Sequence, residues 1–264
     1  MIDTHCHLDF PAFDADRSAV LHRAHAQGVV ALVIPGVSAA NWPAVLDLQA
    51  QAPERLFPAL GLHPVFIDHH QPADLDTLRA NLQRQRPVAL GEIGLDFALA
   101  DTDRAAQQWY FTQQLELAAE FNLPVLLHVR KAHDSVLAAL RAVSHPNGIP
   151  GGIAHAFNGS LQQARQYLEL GFKLGFGGML TYTRSRKLRQ LARELPLDAL
   201  VLETDAPDMT VASHQYQRNS PEYLPEVLTA LAEVRGQAPE LLAQTTTANA
   251  CHLLRLPIPS PSHD

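Results

Sequence analysis

A (β/α)8 barrel, the TIM-barrel fold, is the class this sequence predicts, and three observations predict it. Short apolar runs alternate with longer segments whose apolar residues recur every three or four positions. Eight such runs share 264 residues, leaving about 33 for each strand, helix and pair of loops. The open dinucleotide-binding sheet would need a Gly-x-Gly-x-x-Gly turn after its first strand, where this chain has His5-Cys6-His7.

The first strand is expected at Ile2–His5. Asp16–Gln27 follows as a helix, then Val29–Val37 as the second strand and Trp42–Gln51 as its crossover. Leu56–Gly61, Val88–Gly91, Val125–Val129, Ile153–His155, Phe172–Gly175 and Leu200–Glu203 supply the other strands, continuous apolar runs of the kind buried on both faces of a parallel sheet. Between them, Leu75–Gln85, Arg104–Phe121, Ser135–Val143, Leu161–Leu170 and Arg186–Glu194 carry helical spacing. Gly175, Gly177 and Gly178 form a turn that either binds an anion or relieves crowding. One domain over 1–256 is expected, with Pro257–Asp264 as a loose tail of prolines and small polar residues.

A formal charge of −7 excludes a protein that holds polyanions by a blanket positive field, so any nucleic-acid contact must be local. Cys6 and Cys251 lie near opposite ends without Cys-x-x-Cys spacing, which excludes a disulfide scaffold or zinc knuckle and suits a reducing cytoplasm. No apolar stretch approaches the roughly 20 residues of a bilayer span, and the opening residues lack a signal-peptide pattern. A soluble, cytoplasmic protein with no membrane partner is expected. Fourteen histidines against three lysines turn attention to metal chemistry.

His5 and His7, two apart in an extended segment, place both imidazoles on one side as the first strand ends. Asp3 and Asp9 flank them and are candidates to orient an imidazole. The other polar interruptions of buried runs also fall at carboxyl ends: Glu92, His128, His155, and Glu203 with Asp205. A closed barrel gathers those ends on one face, and so many buried polar groups are too costly to serve as core filler unless paired or metal-bound. Imidazole and carboxylate without thiolate admit Mg, Mn, Zn, Co or Fe, and the nitrogen content favours the transition metals. The six metal ligands His5, His7, Glu92, His128, His155 and Asp205 exceed the need of one tetrahedral ion. Two divalent ions bridged by Glu92 are therefore expected, with Asp205 also orienting or deprotonating an attacking water. No organic cofactor is implied.

The segments IDTHCHLDF from Ile2, GEIGLDF from Gly91, LPVLLHVRKAHD from Leu123, AHAFNGS from Ala154 and LVLETDAPDM from Leu200 together resemble the signatures of the TatD-type metal-dependent deoxyribonucleases, within the amidohydrolase-like superfamily. The resemblance spans nearly the whole barrel. It implies a binuclear metal centre and phosphodiester hydrolysis, a 3′-5′ exodeoxyribonuclease acting on DNA 3′ ends, often single-stranded. By position, the family's metal residues match His5, His7, Glu92, His128, His155 and Asp205, and Glu203 matches a retained glutamate with a supporting catalytic role. Ala156 and Asn158 depart from the His-Cys-Phe-Ser-Gly of many relatives.

Substrate contacts are expected from Arg130, two residues beyond His128, with Lys131 and His133 behind it. Arg218 and Asn219 resemble a family substrate loop. His63, in Gly61-Leu62-His63-Pro64, either contacts substrate or metal-bound water, where it or that water could protonate a leaving group, or starts a helix before Pro64. Arg186, Arg189 and Arg193 share one helix face able to guide a DNA backbone. Phe97, Phe157, Phe176, Tyr182 and Tyr216 are candidates for base stacking. The rival activities are a small-molecule amidohydrolase or lactonase, for which no lysine stands at the fourth strand end, and an aminoacyl-tRNA ester hydrolase. A non-enzymatic metal-bound interaction barrel would leave the convergent ligands without a purpose. The oligomeric state is not legible.

Overall fold

Eight parallel strands follow one another in chain order around the sheet: β1 (Ile2–Asp3), β2 (Ala31–Pro35), β3 (Leu56–Leu60), β4 (Ala89–Asp96), β5 (Val125–Arg130), β6 (Gly152–Ala154), β7 (Phe172–Phe176) and β8 (Leu200–Leu202). The structure is a computed structural model describing residues 1–146 and 148–257, so the expected tail lies outside the described residues apart from Pro257. Helices α1 (Arg17–Ala26), α2 (Trp42–Gln51), α3 (Ala73–Gln85), α4 (Arg104–Glu120), α5 (His133–Arg141), α6 (Leu161–Glu169), α7 (Arg186–Glu194), α8 (Leu224–Arg235) and α9 (Pro239–Leu254) complete the (β/α)8 barrel.

Local chemistry sets several boundaries. Ser160 and Gln163 form a reciprocal capping box that starts α6. Asp103 accepts from the Ala106 amide to start α4. Trp42, buried at the first turn of α2, donates from its indole to the Gly61 carbonyl at 3.0 Å and so ties that helix to the end of β3.

The ring closes between β8 and β1 by a seam rather than a regular ladder. Thr4 N donates to Leu202 O at 3.0 Å, Asp205 N to His5 O at 2.8 Å and His7 N to Ala206 O at 2.8 Å. Asp3, buried at the seam, accepts from the Thr204 amide at 3.0 Å and hydroxyl at 2.6 Å. That acid therefore fastens the barrel.

Two differences from the sequence expectation matter. The fourth strand does not stop at Gly91 but continues to Asp96, because Ile93 and Leu95 keep it buried. Helices α8 and α9 were not anticipated. In α9 the run Thr245-Thr246-Thr247 weakens the helical signal, yet Thr245 and Thr246 return their hydroxyls to carbonyls four residues back. Ala250, Cys251 and Leu254 of α9 then pack against barrel-interior residues including Ile2, Val33, Leu126 and Val201. This helix is the floor of the barrel, opposite the face on which the strand ends converge.

Candidate metal centre

Strand carboxyl ends bring Glu92 to the centre of five imidazoles. One carboxylate oxygen, Oε2, lies 3.0 Å from His5 Nε2 and 3.4 Å from His7 Nε2. The other, Oε1, lies 3.1 Å from His63 Nε2, 3.3 Å from His128 Nδ1 and 3.3 Å from His155 Nε2. Asp205 approaches the first side, with Oδ1 at 3.7 Å from both His5 and His7. Its backbone is left-handed at φ 57, a conformation that aspartate tolerates better than most residues.

Charges in this cluster are strongly coupled. Burial works to raise the Glu92 pKa, but His63, His5 and His155 overcome it and hold the carboxyl well below its usual range. Burial pushes Asp205 up to about 6 against the pull of His155 and His7. His155 is raised to about 10: burial opposes the shift, and the carboxylates of Asp205, Glu92 and Glu203 outweigh it. For His5 burial prevails and lowers the pKa to about 3.

The donor set fits a divalent cation. His5 and His7 turn their Nε2 atoms toward the same carboxylates and to within 3.3 Å of each other, while their Nδ1 atoms are buried without hydrogen-bond partners among the described residues. Nitrogen lone pairs aimed at one point between carboxylates repel unless a proton or cation lies among them. Among the described residues, three groupings bring ligand atoms within 4.8 Å of one another, close enough to share an ion: His5, His7 and Glu92; His5, His155 and Asp205; and His63, Glu92 and His128.

Supporting contacts orient the imidazoles. Glu203, buried beneath the site, lies 3.4 Å from His155 Nδ1 and accepts from the Ala156 amide at 2.5 Å. Gly175 gives it room, since a Cβ there would come within 2.1 Å of Glu203 Oε2. At Gly178 a Cβ would meet the Met209 carbonyl at 2.2 Å, so crowding accounts for both glycines. Asp96 holds His128 Nε2 at 3.0 Å and also lies 3.7 Å from Arg130. Asp96 carries no signal in the sequence, because the apolar run pauses at Gly91 while the strand that delivers Asp96 continues five residues further. Asp9 is half-committed: Oδ2 accepts from Asn41 at 2.5 Å, and Oδ1 is buried without a partner.

His63 starts a short turn, one of its two expected roles, and also faces Glu92, with Nε2 3.1 Å from Oε1. Its Nδ1 accepts from the Val65 amide at 3.1 Å and starts a short 3-10 turn at Pro64. A neutral imidazole carries one N–H, so this bond places the proton on Nε2, the nitrogen that faces Glu92. Burial lowers the His63 pKa to about 4, which keeps the ring neutral near pH 7.

A pocket of about 460 Å³ opens over the cluster. Arg130 stands at its rim with a largely exposed side chain, and Phe10, Val65, Phe66, Met179 and Met209 form apolar walls. Arg218 and Asn219 are occupied elsewhere. The Arg218 guanidinium makes a bidentate pair with Asp16, both contacts at 2.8 Å, and lies over the Phe13 ring. Asn219 donates to the Thr204 and Asp208 carbonyls, bracing the loop that carries Asp205. Neither lines the pocket, because each side chain is consumed by its own fold contact. His133 is likewise held by Tyr167 and Asn158. Phe157 and Phe176 are buried, whereas Tyr216 is 95 % exposed. The wall residues Phe10 and Phe66 carried no sequence signal beyond being aromatic near a strand end.

A family profile described as TatD related DNase matches residues 2–255. The chain is 42 % identical over 258 residues to the uncharacterized metal-dependent hydrolase YjjV of Escherichia coli K12, covering 97 % of this chain and 98 % of that protein. It is 34 % identical over 262 residues to a protein of Erwinia billingiae named 3′-5′ ssDNA/RNA exonuclease TatD, covering 97 % and 100 %. The crystal structure of YjjV superposes with a TM-score of 0.91 at 41 % identity, over 97 % of this chain and 98 % of that one. A TatD-family hydrolase from Entamoeba histolytica, at 20 % identity, shares the fold with a TM-score of 0.84 over 96 % and 97 % of the two chains.

Proposed function

The chain belongs to the TatD-related DNase family and is a metal-dependent hydrolase, and from that premise we propose that it removes nucleotides from the 3′ end of single-stranded DNA. The observation that carries this reading is the division of Glu92, one oxygen toward His5 and His7 and the other toward His63, His128 and His155, beneath an open pocket. A carboxylate shared in this way suits two divalent ions acting on one phosphodiester. The relatives named as 3′-5′ ssDNA/RNA exonucleases support the choice of substrate and polarity.

His5, His7, Glu92, His128, His155 and Asp205 would hold the ions. Two such ions, when bound, supply Lewis acidity to the phosphate and lower the pKa of water. Asp205 Oδ1 accepts the proton of the water that attacks phosphorus. The P–O3′ bond breaks, and the departing oxygen, met by a hydrogen bond from the neutral His63 Nε2–H as negative charge develops there, takes up a proton from solvent to leave as the 3′-hydroxyl. Arg130 takes the non-bridging oxygens, for which its planar fork is suited. Glu203 and Asp96 keep His155 and His128 in orientation. The apolar walls receive the terminal nucleoside.

The test incubates metal-defined protein with 3′-labelled and 5′-labelled single-stranded DNA, double-stranded DNA and RNA. Release of labelled mononucleotide from the 3′ end, lost in His5→Ala and Asp205→Ala, is the expected result. The apolar walls favour one second reading, hydrolysis of a small apolar ester or lactone. Turnover of such an ester with no cleavage of any DNA across Mg2+, Mn2+, Co2+ and Zn2+ would establish that reading instead.

A further inference from the structure

The basic run after β7 divides into two groups. Arg189 and Arg193, expected to share a DNA-guiding face, instead donate to the carbonyls of Leu180 and Val234 at 3.0 and 3.1 Å, and these bonds fasten α7 to its neighbours. Arg184, Arg186 and Lys187 surround a separate recess of about 320 Å³ at the start of α7. Among the described residues none of these three is ion-paired with a carboxylate, so their charge is free to meet an anion in the recess. Lys187 Nζ is held at 3.1 Å by the Asn158 carbonyl, and the Arg184 guanidinium lies over the Tyr182 ring at 4.9 Å.

Arg184, Arg186 and Lys187 are all solvent-exposed and line one concavity, so an anion entering it can reach three cations at once. The recess adjoins the metal pocket, with Asn158 and Leu188 lining both. We infer that the Arg184–Arg186–Lys187 recess is a second phosphate subsite, which holds the backbone of the substrate strand upstream of the phosphate being cleaved. This rests on the nuclease reading for its substrate, a single-stranded oligonucleotide. It gives the protein a local grip on a polyanion without a positive surface, and it makes strand length a determinant of affinity.

The test compares wild type with Arg184→Gln/Arg186→Gln, leaving Lys187 in place because it also braces Asn158. Arg84→Gln/Arg141→Gln removes the same charge elsewhere as a control. Two substrates separate the subsites: thymidine 5′-(p-nitrophenyl phosphate), which has no upstream phosphate, and hexathymidylate. The recess variant should keep kcat/KM on the nitrophenyl ester within about twofold and raise KM for the hexamer about fivefold or more. Its salt slope should fall by about 0.7 for each lost contact to a single strand. Polarisation of fluorescein-labelled hexathymidylate with EDTA-treated protein gives a readout free of cleavage, and the recess variant alone should bind about fivefold more weakly. An equal loss on both substrates, or equal strand affinity in all three proteins, would overturn the subsite. Strand binding that depends on the recess without DNA cleavage would retain the subsite and refute the nuclease reading. DNA cleavage with no effect of the recess would do the reverse.

Discussion

The Val65 amide donates to His63 Nδ1 at 3.1 Å and thereby puts the proton of that imidazole on the nitrogen facing Glu92. A nitrogen that carries a proton is not a metal ligand, so His63 is set apart from the neighbouring histidines even though its distances alone would group it with Glu92 and His128. Replacing His63 by Ala should leave metal content unchanged by elemental analysis while kcat falls by about 10²–10³, the usual effect of losing one donor to a developing oxyanion. His63→Gln, whose amide can donate from a similar position, should recover part of the loss. A fall in bound metal on His63→Ala would assign it as a ligand after all.

Glu92 gives each half of the cluster one oxygen, so its neutralisation should be felt on both sides. Glu92→Gln keeps the volume and removes the charge that draws His63, His5 and His155 together. Metal bound per chain should drop by at least one ion, and turnover by about 10³ or more, with the circular dichroism of the barrel retained.

Asp96 acts on the site through His128 Nε2, 3.0 Å away. Asp96→Ala should weaken metal affinity by about 10–100-fold, the range typical when an imidazole loses the partner that orients it. Titration with a chelator-buffered metal measures this directly. Asp96→Asn, which still offers an oxygen, should lie between the variant and wild type.

The pairing of Arg218 with Asp16 makes a pH-dependent contribution to stability rather than to catalysis. Hydrogen bonds from Arg218 hold the Asp16 carboxyl below its ordinary pKa. A carboxylate depressed on folding stabilises above its unfolded pKa near 4, and the contribution disappears as pH falls through the lower, folded value. Asp16→Asn should therefore lower Tm by on the order of 1–2 °C at pH 7. The two proteins should converge in melting temperature as pH falls through the depressed, folded-state pKa of Asp16. kcat should be unchanged, because Arg218 does not line the pocket.

Eight strands and the positions of Glu92, His128, His155, Glu203 and Asp205 were legible because a polar residue interrupting a buried run is conspicuous, and a barrel sends every such interruption to one face. Asp96 was hidden by the same logic: glycine at 91 and 94 punctuates the run, and only the paired backbone shows that the strand continues. Helix α9 was hidden by threonines that cost helix propensity but recover it by bonding to their own turn. Arg218 could not be placed because charge alone does not name a partner, and Asp16 is 202 positions away in the chain. The same limit applied to Arg189 and Arg193, whose periodicity predicted a shared face while their acceptors, carbonyls on other elements, were invisible.

The seam between β8 and β1 has a consequence for assembly. His5 and His7 stand on one lip of it and Asp205 on the other, joined by the bond from Asp205 N to His5 O. A cation gripping both lips would act as a clasp on a cylinder, available only after the first and last strands have met. Ion uptake would then report ring closure during folding, and stripping the ion with a chelator should lower Tm in proportion to the logarithm of the free metal concentration. Opening of the chelated protein, followed by amide exchange, should begin at Thr4, His7 and Asp205, while the strands on the far side of the ring stay protected.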